Sequence, residues 1–231
     1  CPLCGYSEMQ IKIDKENYPE ALCAGSILDG RFILGRTLSV NNFSNVYISW
    51  DALLCKRVVV KEYFPFGLGI RETNIQEIIF RSEQERELFE TGRTVFEQEA
   101  RVLNQNQDLE EIIKIYRIVQ ENDTSYIIME YVEGITLQDY LDDGEGIGRE
   151  MAEDFIRELA GIVDAIHSRG IIHYHLSPKN IYLDNLGRIR ILDFGDAKKE
   201  IYRILGPDIN ILDLRYTAPE VLQREKAGAG A

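Results

Sequence analysis

The run Ile171-Ile-His-Tyr-His-Leu-Ser-Pro-Lys-Asn-Ile-Tyr-Leu-Asp184, continued by Asn185-Leu-Gly-Arg-Ile-Arg-Ile-Leu-Asp-Phe-Gly195, constrains this chain more than any other stretch. Two short apolar segments, Ile181–Leu183 and Ile189–Leu192, flank Asp184-Asn-Leu-Gly187. Those residue types favour a tight turn, so the spacing predicts a hairpin. One end of the hairpin carries Asn180 and the other Asp193. An amide oxygen and a carboxylate on neighbouring strand ends can converge on one hard cation, as Mg²⁺ prefers.

The stretch resembles the protein kinase family, whose catalytic loop opens with His-Arg-Asp, ends on an Asn and is followed by Asp-Phe-Gly. The resemblance implies ATP as ligand and Mg²⁺ held by Asn180 and Asp193. Two positions depart from the pattern: His175 stands at the family's Asp and Tyr174 at its Arg. In the family that Asp accepts the proton of the substrate hydroxyl and aligns it for attack. An imidazole is neutral or positive and presents a different geometry, although its ordinary pKa of about 6.5 suits a base at neutral pH. Tyr174 removes the Arg that family members use to read a phosphate on the activation segment. Ser177 matches bacterial-type members, which often carry Ser-Pro-x-Asn here.

Further motifs follow the family's order over about residues 30–222. Arg31–Trp50 shows two alternating segments around a turn, a predicted β-hairpin resembling the loop that covers the nucleotide. Phe43 takes its tip and Val46 the position over adenine. Ser39, Asn41 and Ser44 replace the loop glycines, which elsewhere allow φ > 0 and close approach of backbone N–H groups to phosphates. Phosphate cover is therefore expected to be weak. Arg57-Val-Val-Val-Lys61 resembles the family's Val-Ala-Ile-Lys, which makes Lys61 the residue for the α- and β-phosphates. Val59 and Tyr182, each bulkier or more polar than usual, narrow the adenine slot from above and below. Met129-Glu-Tyr-Val-Glu-Gly134 resembles the hinge, so backbone groups of Glu130 and Val132 are expected to hold adenine.

Between Lys61 and this hinge the sequence predicts an insert to about Arg81 and a charged helix over 82–91 closed by Gly92. A second helix follows, with Phe96, Ala100 and Leu103 on its inner stripe. Glu99, beside that stripe, is the expected partner of Lys61. Residues Ile112–Gln120 and Thr124–Glu130 predict another hairpin, Thr136 a helix cap, and residues 150–168 an amphipathic helix with Phe155, Leu159, Ile162, Val163 and Ile166 on one face. The resemblance further implies a contact column of Leu103, Ile115, His173 and Phe194. Tyr202, Tyr216 and Thr217 fall in an expected activation segment that ends in Ala-Pro-Glu220.

The expected architecture is thus α+β, a protein kinase-like two-lobe fold: an antiparallel β N-lobe with one packed helix over 27–131, a helical C-lobe over 132–224 cut short after Ala-Pro-Glu, and a tail over 225–231. A C-lobe cut there would leave part of the apolar face of 150–168 uncovered. Residues 1–26 read as half a zinc ribbon followed by a polar linker over 6–26. Cys1-Pro-Leu-Cys4 has the spacing of one zinc knuckle and needs a second pair beyond this sequence, which begins at Cys1 and reads as a fragment. Isolated Cys23 and Cys55 give no disulfide framework, in keeping with a reducing cytoplasm. The net charge of −13, without a basic stripe, argues against nucleic acid as a partner, and no apolar run reaches the ~18 residues of a membrane span.

Two function classes follow. One is a pseudokinase, a module that binds nucleotide and an unidentified protein partner with little phosphoryl transfer. The other is an active ATP-dependent Ser/Thr kinase, or another nucleotide-dependent transferase, that uses His175 or no side-chain base.

Overall fold

The computed structural model describes residues 7–72, 75–144, 146–194, 215–217 and 219. Strands β1 (Ile27–Leu28), β2 (Phe32–Val40), β3 (Ser44–Asp51), β4 (Lys56–Tyr63), β5 (Ile115–Glu121) and β6 (Thr124–Glu130) form one antiparallel sheet in the order β1-β2-β3-β4-β6-β5. The β3–β4 pairing runs without a slip from Ser44–Tyr63 to Asp51–Lys56. Asp51 anchors the turn between these strands, accepting from the N–H groups of Leu53 and Leu54 and, in bidentate fashion, from Arg31 at 2.7 Å. That guanidinium holds the Asp51 carboxyl below the usual carboxylate range. The β5–β6 turn places Asn122 and Asp123 at φ 55° and 59°, the left-handed pair that a two-residue hairpin requires.

Helix α1 (Glu8–Asn17) lies within the segment expected to be a linker. The segment is fastened: its Leu22 is buried, and the Leu22 N–H donates to the Tyr47 hydroxyl at 3.0 Å.

A single helix, α2 (Glu83–Asn104), replaces the expected pair. Its start is legible as Ser82-Glu-Gln-Glu85: the Ser82 side chain accepts from the Glu85 N–H, and the Glu85 carboxylate accepts from the N–H groups of Arg81 and Gly69. Gly92 does not end it. A glycine inside a helix costs about 1 kcal/mol relative to Ala, and burial of Phe89 and Phe96 on either side outweighs that. Both rings pack on Tyr63, at 4.8 and 5.4 Å between centroids.

The second part holds β7 (Gly134–Thr136), α3 (Leu137–Asp142), α4 (Arg149–Ser168), β8 (Ile181–Asp184) and β9 (Ile189–Ile191). Thr136 and Asp139 form a reciprocal capping box at the start of α3. Along α4, Ile162 and Ile166 are buried and Phe155, Leu159 and Val163 pack against the same core, whereas Ile156 on the other side is 64% exposed. Strands β7, β8 and β9 form a small antiparallel sheet that the sequence reading anticipated only as the β8–β9 hairpin. Gly134 in β7 is required by close approach: a Cβ there would lie 2.0 Å from the Leu183 carbonyl oxygen. The two parts share one core, in which Ile112 bridges to Ile191 in parallel and the Ile191 N–H donates to the Glu111 carbonyl at 2.7 Å.

Among the described residues no helix is long and apolar enough to cross a membrane, and no group of three His, Cys, Asp or Glu side chains is placed to hold a metal. Cys1 and Cys4 lie outside the described residues, as does the expected activation segment from Gly195 to Leu214, Tyr202 included. Cys23 and Cys55 are exposed and free, Tyr216 is exposed, and Thr217 is buried.

One polar network, on the sheet face away from the cleft-lining Val59 and Lys61, has no counterpart in the sequence pattern. Glu62 is fully buried on β4, where its carboxylate accepts from Arg71 at 2.6 and 3.2 Å, Tyr47 at 2.7 Å and Asn45 at 2.9 Å. Arg71 in turn donates to the carbonyls of Gln76 and Glu20. Its pKa is raised, because the charge of Glu62 outweighs the lowering effect of burial. A buried ion pair loses about 3–5 kcal/mol when one partner is removed, since the other is left without its counter-charge. Arg71→Met and Glu62→Met are each expected to lower the unfolding free energy by that amount in urea titration. The double variant is expected to lose clearly less than the sum of the two; strict additivity would show that the side chains act independently.

Candidate functional site

Between the sheet and the second part lies a cleft of about 1100 Å³. It is lined by the sequence-predicted Val46, Val59, Lys61, Glu99, Glu130, Val132, His175, Asn180, Tyr182 and Asp193. Backbone periodicity explains the roof. Val59 and Lys61 alternate along β4 with buried Val58 and Val60, and Val46 pairs with Lys61 across to β3, so one face of the hairpin turns to the cleft. Tyr182 projects from β8 below, with its hydroxyl donating to the Gly134 carbonyl at 2.8 Å. Residues 131–133 form a connection without strand structure. The Glu130 N–H donates to the Lys114 carbonyl, and its carboxylate accepts from Arg190 at 2.6 Å.

At the inner end Lys61 is ion-paired with Asp193. Sequence reasoning assigned Glu99 as its partner; the structure gives Asp193 the direct contact, and Glu99 adds attraction from α2. Burial alone would lower the Lys61 pKa, but the Asp193 and Glu99 charges and the hydrogen bond to Asp193 outweigh it and leave the pKa raised. Glu97, two residues away, faces elsewhere and accepts from Ser125 at 2.6 Å and Arg101 at 2.9 Å. The helical period separates the two carboxylates.

Below Lys61, Asn180 donates through Nδ2 to the His175 carbonyl at 2.8 Å and meets His175 Nδ1 at 2.8 Å. The carbonyl fixes which end of the amide faces the ring, because an oxygen there would be repelled. Nδ1 is therefore the acceptor, and a neutral His175 carries its proton on Nε2. The same Nδ1 lies 3.5 Å from Asp193 Oδ2. His173 sits deeper: its Nδ1 accepts from the His175 N–H at 3.2 Å, so its Nε2 donates to the Leu192 carbonyl at 2.9 Å. The His173 ring packs on Phe194 at 4.4 Å, in the buried core that also holds Leu103 and Ile115. Tyr174 and Asp193 have φ of 57° and 56°, a left-handed backbone that non-glycine residues adopt at some cost and that aims the neighbouring side chains into the cleft.

Asn180 and Asp193 supply oxygen donors suited to one hard cation, with the amide oxygen on the side away from His175. The other carboxylates lining the cleft are engaged: Glu130 with Arg190, Asp139 in the α3 cap, and Glu99 in the field of Lys61. Among the described residues, none of them belongs to the loop that carries His175.

Residues 71–231 match the profile of the family described as Protein kinase domain. Over 197 residues the chain is 29% identical to the serine/threonine-protein kinase PrkC of Bacillus subtilis (strain 168), which covers 85% of this chain and 27% of that protein. It is 35% identical over 127 residues to the myotonin-protein kinase of Mus musculus, 52% of this chain and 19% of that one. The solved structure named "PpkA-294 apo form" superposes with a TM-score of 0.75 at 27% identity, covering 84% of this chain and 68% of that chain. The chain spans about a quarter of the length of the bacterial relatives.

The Lys61 pair has a pH signature. A cation whose pKa is raised on folding contributes stability that is fully present below its unfolded pKa, near 10.5, and is lost as pH rises through the higher folded value. In denaturation series from pH 8 to 11, the stability difference between the parent and Lys61→Met is expected to be constant up to about pH 10 and to shrink above it. A difference that grows with pH would contradict the pairing.

Proposed function

Because the chain belongs to the protein kinase domain family, we propose that it is a nucleotide-binding module of that fold in which transfer of the γ-phosphoryl group is impaired. Its role is then carried by what the cleft holds and by a protein partner that senses it. The observation that carries this reading is the state of His175. Its Nδ1 meets the amide nitrogen of Asn180, which assigns the Nδ1 lone pair to that bond and, in a neutral ring, the proton to Nε2. A neutral ring in that state has no lone pair left for the proton of an incoming alcohol, whereas a carboxylate at this place would offer several. General-base assistance contributes about 10²–10⁴-fold where it operates.

The remaining residues suit a bound ATP. Lys61 would set a buried cation against the α- and β-phosphates, with Glu99 supporting it from α2. Val46 and Val59 would cover the base, Tyr182 would lie beneath it, and the backbone of Glu130 to Val132 would meet its polar edge. Asn180 and Asp193 offer oxygens to Mg²⁺, which when bound neutralises phosphate charge. Lys61 and Asp193 must loosen their mutual pair to reach the ligand, which lowers affinity relative to a site already parted.

An active serine/threonine kinase is the competing reading. It is favoured by the convergence of Lys61, Asn180 and Asp193 on one cleft and by the names of the relatives. Two measurements separate the readings. Thermal melting with millimolar ATP and Mg²⁺ is expected to show a stabilisation that grows with the logarithm of ligand concentration above Kd. In a γ-phosphate transfer assay on a generic protein substrate, the parent is expected to be at least about 100-fold slower than His175→Asp. A parent as fast as the variant overturns the impaired-transfer reading, and an absent melting shift overturns the binding one.

A further inference from the structure

The β2–β3 turn overhangs the cleft, with Ser39, Asn41, Asn42 and Ser44 lining it beside Val46 and Lys61. Consecutive N–H groups in such a turn form a concavity that takes an anionic oxygen. Here that position is filled from within. Asn41 Oδ1 accepts from the N–H groups of Phe43 and Ser44 at 2.8 and 2.9 Å, and its Nδ2 donates to Ser44 Oγ at 3.3 Å. The Asn41 N–H closes the ring on the Ser44 carbonyl at 3.1 Å.

The turn is also held from behind. The carbonyls of Asn42 and Phe43 accept from the N–H groups of Phe66 and Phe64 at 2.9 and 3.1 Å. The Phe43 ring is buried against Tyr63 and Phe96, at 5.5 and 6.1 Å between centroids. Rotating the tip to present free N–H groups would break those bonds and expose an aromatic ring.

We propose that Asn41 is a specificity-determining residue that withholds the turn's N–H groups from the β- and γ-phosphates, which are left to Lys61 and to a cation at Asn180 and Asp193. A phosphate approaching the turn gains neither the Phe43 nor the Ser44 N–H unless it displaces the Asn41 oxygen. Of the two lysines lining the cleft among the described residues, Lys61 already carries Asp193 and Lys179 is exposed to water. The turn backbone then adds nothing to the affinity for ATP over that for adenosine. The proposal rests on the nucleotide-binding reading above and names what that site selects.

Calorimetric titration of the whole chain with adenosine, ADP and ATP, each with Mg²⁺, tests it on the parent, Asn41→Ala and Asn41→Gly. Asn41 is exposed, and its φ is not in the left-handed region, so alanine fits the existing backbone while releasing both N–H groups. The expected result is a rise of about tenfold or more in the ratio of ATP to adenosine affinity in Asn41→Ala, equal to ~1.4 kcal/mol, with adenosine affinity itself unchanged. A smaller rise overturns the proposal. Should melting show that Asn41→Ala is unfolded, the same criterion is applied to Asn41→Gly. Failure of all three ligands to bind the parent and both variants overturns the nucleotide-binding reading and this proposal with it. Binding of all three with an unchanged ratio overturns this proposal alone.

Discussion

Placing a full carboxylate at Glu62 in the interior sets most of what surrounds it. An ion taken out of water costs several kcal/mol unless its lone pairs are met. Four donors from Asn45, Tyr47 and Arg71 converge to meet them. Arg71 lies nine residues further along, so the chain leaving β4 must fold back over the face away from the cleft to deliver it. That return path puts Phe64 and Phe66 under the β2–β3 turn, where their N–H groups hold its carbonyls. It also brings Gly69 to the Glu85 carboxylate at the start of α2. Neighbouring charges on one strand thereby serve opposite faces: Glu62 organises the packing on the face away from the cleft, and Lys61 is presented to the cleft.

The cleft itself keeps the charges suited to a polyphosphate and its cation but rearranges who holds whom. Lys61 leans on Asp193, Asn180 leans on His175, and His175 lies near Asp193. The groups form a polar chain that runs from Lys61 through Asp193 and His175 to Asn180. Such an arrangement is stable when empty, and a ligand has to compete with existing partners rather than fill a gap in solvation. The covering turn follows the same principle, with an amide side chain occupying the donors of its own backbone.

Much of this was legible in order along the chain. The hairpins announced themselves through turn residues: Asp184 to Gly187, and Glu121-Asn-Asp123 with its two left-handed positions. Thr136 and Ser82 marked helix starts through residues three places on, because caps are local chemistry. Lys61, Asn180 and Asp193 stood out as a motif, and all three line one cleft. Gly92 misled, since a local stop signal worth about 1 kcal/mol is overridden by aromatic burial that only the fold creates. Arg71 could not be distinguished from a surface arginine, because its partner lies on another element and its burial depends on a return path no local pattern encodes. The ion pair chosen by Lys61 was likewise invisible: Asp193 and Glu99 both lie near it, and their relative distances are set by packing. Helix α1 lacks an apolar stripe, so its sequence reads as a linker.

The close approach at Gly134 carries a mechanical consequence. Because β7 lies against the Leu183 carbonyl with no room for a side chain, the floor tyrosine, the small sheet and the capped start of α3 are welded into one plate. The Asn185 N–H bonded to the Glu133 carbonyl extends that plate by one residue. On the other side, Glu130 is tied to the large sheet through Lys114. Along the chain only Tyr131 and Val132 lie between Glu130 and that plate. With the Ile112–Ile191 bridge holding the shared core, a change in the width of the gap pivots on this short link and on that bridge.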